Sequence, residues 1–404
     1  VKHPVITLAT LACLGATAPA LHAVSIKDDA LSLGFGIRMQ TRAQANDANG
    51  TTGGDYRVNG GTAGAVDDPV DFYIRRARLY LNIKYGSDWK GQLAFNADNV
   101  DRAGTNDNRA AQLRYAWMER GFDLGDGMSH AIHFGLDKPY NNPSDSAMSA
   151  SRELMPNSNA AAGYLAPRGV GVGYRFFHPV FLVAADLQNN TNGAKDNTGA
   201  NAQEEDGFFY GVRAEFSFSP DWFIKKRAES YLGKEGHGLN LGLSYGTNQD
   251  AVVADADAVT AATQPGQTSL TSYSVDAMLW WNNISAYAEY RAGTGEATRN
   301  DGVAVADVDA EFIVLQVGYA IPLGEGVVEP AVRYQIIDAN TDADEVSVYG
   351  NNTESGGSGT QLDLGVNYYL SGHDHKFHLA VSLWEAEEGE ADATIVRLQH
   401  QINF

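Results

Sequence analysis

From residue 31 onward the chain repeats one pattern: an extended segment with apolar groups at every second position, then a polar stretch rich in Gly, Asn, Asp, Ser and Thr. Period-two alternation puts successive side chains on opposite faces of a strand. Leu239, Leu241, Leu243 and Tyr245 alternate with Asn240, Gly242 and Ser244. Leu362, Leu364, Val366, Tyr368 and Leu370 alternate with Gln361, Asp363, Gly365, Asn367 and Tyr369. Between residues 73 and 85 the odd positions, Tyr73, Arg75, Ala77, Leu79, Leu81, Ile83 and Tyr85, oppose Ile74, Arg76, Arg78, Tyr80, Asn82 and Lys84. Leu113, Tyr115 and Trp117 likewise oppose Gln112, Arg114 and Ala116.

Sixteen such strands are predicted, starting near residues 31, 70, 89, 110, 131, 169, 180, 207, 238, 269, 283, 309, 327, 359, 376 and 391. Their connections alternate in length. Short ones include 86–88, 178–179, 281–283 and 322–326, and long ones include 44–69, 139–168, 190–206, 249–268, 293–308 and 339–358. The rule breaks twice, at the long connection 219–237 and the tight one near 388–391. Strands with one apolar and one polar face, joined by alternating short and long connections, form an up-and-down barrel in the outer membrane. Closure is required because hydrocarbon offers no partners to an open sheet edge. The expected fold is all-β, a sixteen-stranded antiparallel transmembrane β-barrel wide enough for an aqueous channel, with both chain ends periplasmic.

The remaining features narrow the class. No run of eighteen apolar residues predicts a spanning helix. A net charge of −21 argues against nucleic-acid partners. The one cysteine, Cys13, lies in an N-terminal stretch with Lys2, an apolar core from Val5 to Ala16 and small residues after it. This reads as a secretory leader, 1–23, cut after Ala20 or Ala23, with the barrel domain at 24–404. Gly169-Val170-Gly171-Val172-Gly173 is strand glycine rather than a dinucleotide loop, since no helix pattern follows. His373-Asp374-His375 with His378 reads as a polar turn rather than a metal site. No catalytic set and no cofactor are expected.

Aromatic residues gather near the short turns: Tyr85 and Trp89, Phe176, Phe177 and Phe181, Phe218 and Trp222, Trp280 and Trp281. They read as an interfacial girdle. Val396, Leu398, Ile402 and Phe404 share one face of the last strand, interrupted by His400. A terminal Phe closing such a strand resembles the assembly signal of bacterial outer-membrane proteins, and makes the barrel assembly machinery an expected partner.

Two stretches carry a closer likeness: Tyr73-Ile74-Arg75-Arg76-Ala77-Arg78-Leu79-Tyr80-Leu81, then Trp89 and Leu93, and Ser151-Arg152-Glu153-Leu154-Met155-Pro156 through Leu165-Ala166-Pro167-Arg168-Gly169-Val170-Gly171-Val172. Phe134-Gly135-Leu136-Asp137-Lys138-Pro139-Tyr140 adds to them. Together they resemble the phosphate-selective porin O and P family. The resemblance implies a Gram-negative outer-membrane porin, a homotrimer, a third long loop (139–168) folded into the lumen, and arginines that hand on phosphate. The fifth long loop, 249–268, departs from that pattern, with no Lys or Arg and with Asp250, Asp255 and Asp257 instead.

Strand phase assigns the lumen. Arg38, Arg76, Arg78, Arg114, Arg175, Arg213 and Arg333 are the principal basic candidates, with Arg42, Lys84, Arg120, Arg291 and Arg397 on the same phase and Arg75 on the outer one. Arg152 and Arg168, at the ends of the third loop, are the expected constriction cations. Asp98, Asp137, Asp186, Glu215, Asp276, Glu289, Glu329 and Asp363 share the lumen. Two readings stay open: fixed positive charge that favours anions, or ion pairs that brace the wall. The function expected is passive diffusion of small hydrophilic solutes, favouring anions such as phosphate, in contact with outer-membrane lipid and lipopolysaccharide. A structural or adhesive surface protein is the alternative, and a barrel hydrolase a further one.

Overall fold

The computed structural model describes residues 25–27, 30–49, 70–101, 110–141, 154–156, 168–189, 208–218, 229–234, 236–253, 266–298, 304–307, 309–338, 358–386 and 392–404. The expected leader (1–23), Trp222 and Arg152 lie outside them. In chain order the strands are β1 (Ser25–Lys27), β2 (Leu31–Asn49), β3 (Val70–Tyr85), β4 (Trp89–Val100), β5 (Gln112–Gly125), β6 (Met128–Asp137) and β7 (Gly169–His178). Next come β8 (Phe181–Asn189), β9 (Phe208–Ser217), β10 (His237–Val253), β11 (Gly266–Trp281), β12 (Ile284–Thr298) and β13 (Ala304–Asp307). The last are β14 (Ala310–Tyr319), β15 (Ile321–Leu323), β16 (Gly326–Asp338), β17 (Gly359–Ser371), β18 (His375–Ala386) and β19 (Asp392–Asn403).

Short β1 pairs with the start of β2. β13 and β15 flank β14 and pair with β12 and β16, so these three make one interrupted strand. β19 pairs with β2 from Asp392↔Asn49 to Asn403↔Arg38, which closes an antiparallel barrel of sixteen strands. With Ala310 of β14 taken as the start of the interrupted strand, the predicted starts agree with the observed ones to within three residues, the largest gaps being Met128 against 131 and Gly266 against 269. Several strands run on into the expected long loops: β2 continues to Asn49, β10 to Val253 and β12 to Thr298. Their polar upper ends lack alternation but still complete the backbone ladder, which any residue except proline can do.

The barrel is apolar outside and polar inside. Phe35, Leu79, Val170, Leu243, Val275 and Leu315 are exposed on the outer face, whereas Arg213, Glu329, Asp363, Lys376 and Gln399 are buried on the inner one. A continuous exposed apolar belt of this extent suits hydrocarbon rather than water. At the short-turn end Tyr85, Phe218 and Trp281 stay exposed. Trp280 does not join them. It points inward, 8% exposed, because neighbours along a strand face opposite ways. Phe177 also turns in, packing on Leu182 and Ala184.

Two bulges shift the expected phase. The β2–β3 register passes from Gln40↔Arg76 to Thr41↔Ile74, leaving Arg75 extra. Tyr73, expected on the face of Leu79, therefore turns inward, and its hydroxyl donates to Gln44 Oε1 at 3.2 Å. In β5 the register passes from Ala94↔Tyr115 to Phe95↔Leu113, leaving Arg114 extra. Beyond it Glu119 is buried on the inner side, while Trp117 meets the buried His133 ring at 5.0 Å. Arg120, expected in the lumen, instead lies outside over the rings of Trp89 (5.5 Å) and Phe122 (4.9 Å).

Candidate channel lining

The inner wall divides by charge. On β2 to β5 arginines crowd together. Arg78 Nη2 meets Asp98 Oδ2 at 2.6 Å, and Arg114 Nη1 reaches the same oxygen at 3.4 Å. Arg42 is held by neutral acceptors: Gln399 Oε1 at 2.7 Å, the Tyr73 hydroxyl at 3.3 Å and the Pro156 carbonyl. Arg76 donates to Gln40 Oε1 at 3.1 Å. Arg38 donates to Asn403 Oδ1 at 3.1 Å and lies over the Tyr80 ring at 5.4 Å. Arg168 lies over the Tyr115 ring at 5.8 Å. A neutral acceptor orients a guanidinium without cancelling its charge. Among the described residues of β2 to β5, the five inward arginines of this arc outnumber the carboxylates Asp71, Asp98 and Glu119.

Elsewhere four arginines, Arg175, Arg213, Arg291 and Arg333, are matched by carboxylates. Arg175 sits between Glu119 (3.4 Å) and Asp186 (3.7 Å), and Glu119 also takes Lys90 Nζ at 2.7 Å. Arg213 donates to both oxygens of Asp276, at 2.7 and 3.0 Å, to Glu215 at 3.1 Å and to Ser244 Oγ at 2.8 Å. Gly242 pairs with Glu215 on one side and Asp276 on the other. A Cβ there would collide with the Arg213 guanidinium and the Asp276 carboxylate, so glycine is what lets the arginine cross between strands. Arg291 pairs with Glu289 at 3.1 Å and Arg333 with Asp363 at 2.8 Å. The sequence-predicted basic residues thus fall in two groups. Arg38, Arg76, Arg78 and Arg114 lie on the arc, while Arg175, Arg213 and Arg333 are ion-paired in the wall.

The sequence reading missed one contact. Leu154 and Met155 are fully buried against Ala331 and Ala380 of the inner face. Asn367 Nδ2 donates to the Leu154 carbonyl at 2.8 Å, and the Leu154 amide donates to Glu229 Oε2 at 2.8 Å. A Cβ on Gly318 would lie 2.9 Å from Leu154 Cδ1, and one on Gly365 would lie 2.9 Å from Met155 Sδ. Small residues at these inward positions leave the space the two side chains fill. Among the described residues no group of three or more His, Cys, Asp or Glu is arranged to hold a metal.

A closed sixteen-stranded barrel with an apolar girdle outside and a charged polar lining defines an outer-membrane channel of the porin class. The chain belongs to the phosphate-selective porin O and P family, whose model matches residues 26–404. Its place is the outer membrane of a Gram-negative cell. An uncharacterized protein of Aquifex aeolicus (strain VF5) is 23% identical over 365 residues, covering 83% of this chain and 81% of that one. Among solved structures, OmpF of Salmonella typhi in complex with daunomycin superposes with a TM-score of 0.54 at 14% identity, covering 94% of this chain and 100% of that one. The outer membrane channel DcaP of Acinetobacter baumannii gives 0.53 at 12% identity, with the same coverage of 94% and 100%. At such identities these structures speak for the fold alone.

Proposed function

We propose that this porin passes small hydrophilic solutes by diffusion and favours anions such as phosphate. The observation that carries the reading is the electropositive arc of Arg38, Arg42, Arg76, Arg78 and Arg114, with Arg42 held by uncharged acceptors. Fixed positive charge lowers the cost an anion pays for its lost hydration. Leu154–Pro156, resting on inward side chains, support a third long loop that narrows the lumen beside this arc. Assembly as a trimer, as in the solved trimer form of OmpT of Vibrio cholerae, fits the same reading.

Reversal potentials in a salt gradient across planar bilayers test it. The wild type is expected to be anion-selective. A unit charge about 4 Å from an ion in water is worth ~1 kcal/mol, so Arg42→Gln should lower the anion-to-cation permeability ratio by up to about fivefold. A cation-selective wild type would overturn the proposal.

Phe404 is proposed as the assembly signal. Its amide donates to the Ile37 carbonyl at 2.8 Å, and its carbonyl accepts from the Ile37 amide at 3.1 Å, so it sits at the closing seam. Phe404→Ala keeps both backbone bonds. It should lower the yield of folded barrel in the outer membrane while leaving refolding in detergent unchanged. An undiminished membrane yield would remove the role.

A further inference from the structure

The connection between β9 and β10 is long at the end of the barrel where the other turns are short, and porin diffusion does not account for it. Its described part, Glu229–Lys234, runs inside the barrel rather than below it. The Tyr231 amide donates to Ser285 Oγ at 2.9 Å, and the Tyr231 ring stacks on inward-pointing Trp280 with centroids 5.6 Å apart. Trp280 Nε1 in turn donates to the Lys234 carbonyl at 2.9 Å. His373 Nε2 lies 2.9 Å from the Ser230 carbonyl. Leu232 and Gly233 both take left-handed backbone, with φ of 59° and 66°, which reverses the chain within the lumen. A Cβ on Gly233 would lie 3.2 Å from both Ala320 Cβ and Asn283 Oδ1, so the reversal is fitted to the wall.

At the inner end of this segment stands Glu229. Its Oε2 accepts from the Leu154 amide at 2.8 Å and from Gln316 Nε2 at 3.0 Å. The Leu154 amide is a buried donor that depends on a segment outside its own loop, and a buried donor left without an acceptor is costly. Leu154–Pro156 are thus held from the wall by Asn367 and Arg42, and from the periplasmic side by Glu229.

We infer that Glu229–Lys234 is a periplasmic strap that sets the bore of the channel, with Glu229 as the positioning residue that fastens Leu154–Pro156 in place. The inference rests on the porin reading above. Bore is then determined from both sides of the membrane: the inward residues of the third loop supply one wall of the constriction and the strap supplies its stop. A solute that enters past the arginine arc leaves beside the strap.

Single-channel recording of the full chain, reconstituted in planar bilayers, tests this. Two cysteines are introduced in a Cys13→Ser background, Tyr231→Cys and Ser285→Cys. Oxidised, the pair holds the strap against β12. Reduced, the strap lacks both its Trp280 stack and its tether. Conductance scales with open cross-section, so the reduced protein should conduct about twofold more than the oxidised one, with added flicker. Glu229→Ala, with the strap otherwise intact, should shift conductance in the same direction. The oxidised and reduced forms are the same folded polypeptide, so misfolding does not explain a difference between them. Equal conductance in the two states would overturn the inference, as would failure of the pair to cross-link, which would put the strap elsewhere. A wild type without stepwise conductance would instead sink the porin reading.

Discussion

Asp276→Ala is expected to lower the unfolding free energy of the barrel by about 3–5 kcal/mol, the range for breaking a buried ion pair on one side. Arg213 and Asp276 are 1% and 3% exposed, and Asp276 accepts two of the arginine's hydrogen bonds. Without it the guanidinium keeps Glu215 and Ser244, so the loss should fall at the lower end of that range. The paired replacement Arg213→Met with Asp276→Leu removes both charges together and should be near neutral. Urea titration of the folded barrel in lipid reads both values. A loss below ~1 kcal/mol for Asp276→Ala would mean that water reaches the pair and solvates it, as at exposed salt bridges.

The adjacent residue gives the opposite experiment. Val275 faces outward, 52% exposed, directly opposite the equally outward Leu243 in the β10–β11 register. It lies between the aromatic positions Tyr273 and Trp281 of the same face. Val275→Arg should cost about 2–4 kcal/mol near the bilayer midplane, because the guanidinium must enter hydrocarbon or drag water with it. The same titration in lipid reads it. A cost near zero would place Val275 outside the hydrocarbon layer and shift the proposed belt along the barrel axis. One position further along, in Asp276, a charge is the native choice. Opposite requirements one residue apart are what a two-faced strand imposes.

The strands were legible because each one is itself such a two-faced segment, and alternation survives in the sequence whatever the partner strand. The bulges were not legible. Arg75 and Arg114 look like their neighbours, and only the register shows that each is the extra residue of a bulge. From there the phase slips, which is why Tyr73 and Arg120 point opposite to expectation. Strand phase left the arginines open between fixed lumen charge and ion pairs that brace the wall. Arg213 meets Asp276 across 63 positions of sequence, so the contact is a property of the assembled sheet. The seat of Leu154 and Met155 left a fainter trace. Gly318, Ala331, Gly365 and Ala380 are small residues at inward positions, but they are spread over four strands and converge only in space. The strap announced itself through length alone, as the connection 219–237 that broke the alternation.

The pairing of β19 with β2 also governs the order in which this molecule is built. Gln40 and Gln401, 361 positions apart in sequence, meet in one hydrogen bond at 2.5 Å. Contacts between neighbouring strands are local and form early, whereas joining the two ends of the chain closes the longest possible loop and is slow. Until that contact exists, every partly formed sheet has two bare edges ready to pair with another molecule. The hazard does not decline gradually as strands are added. It stays whole through the first fifteen and vanishes with the last. The half-built barrel therefore needs protection for as long as the seam remains open, and the time to close the seam sets how long a cell must supply it.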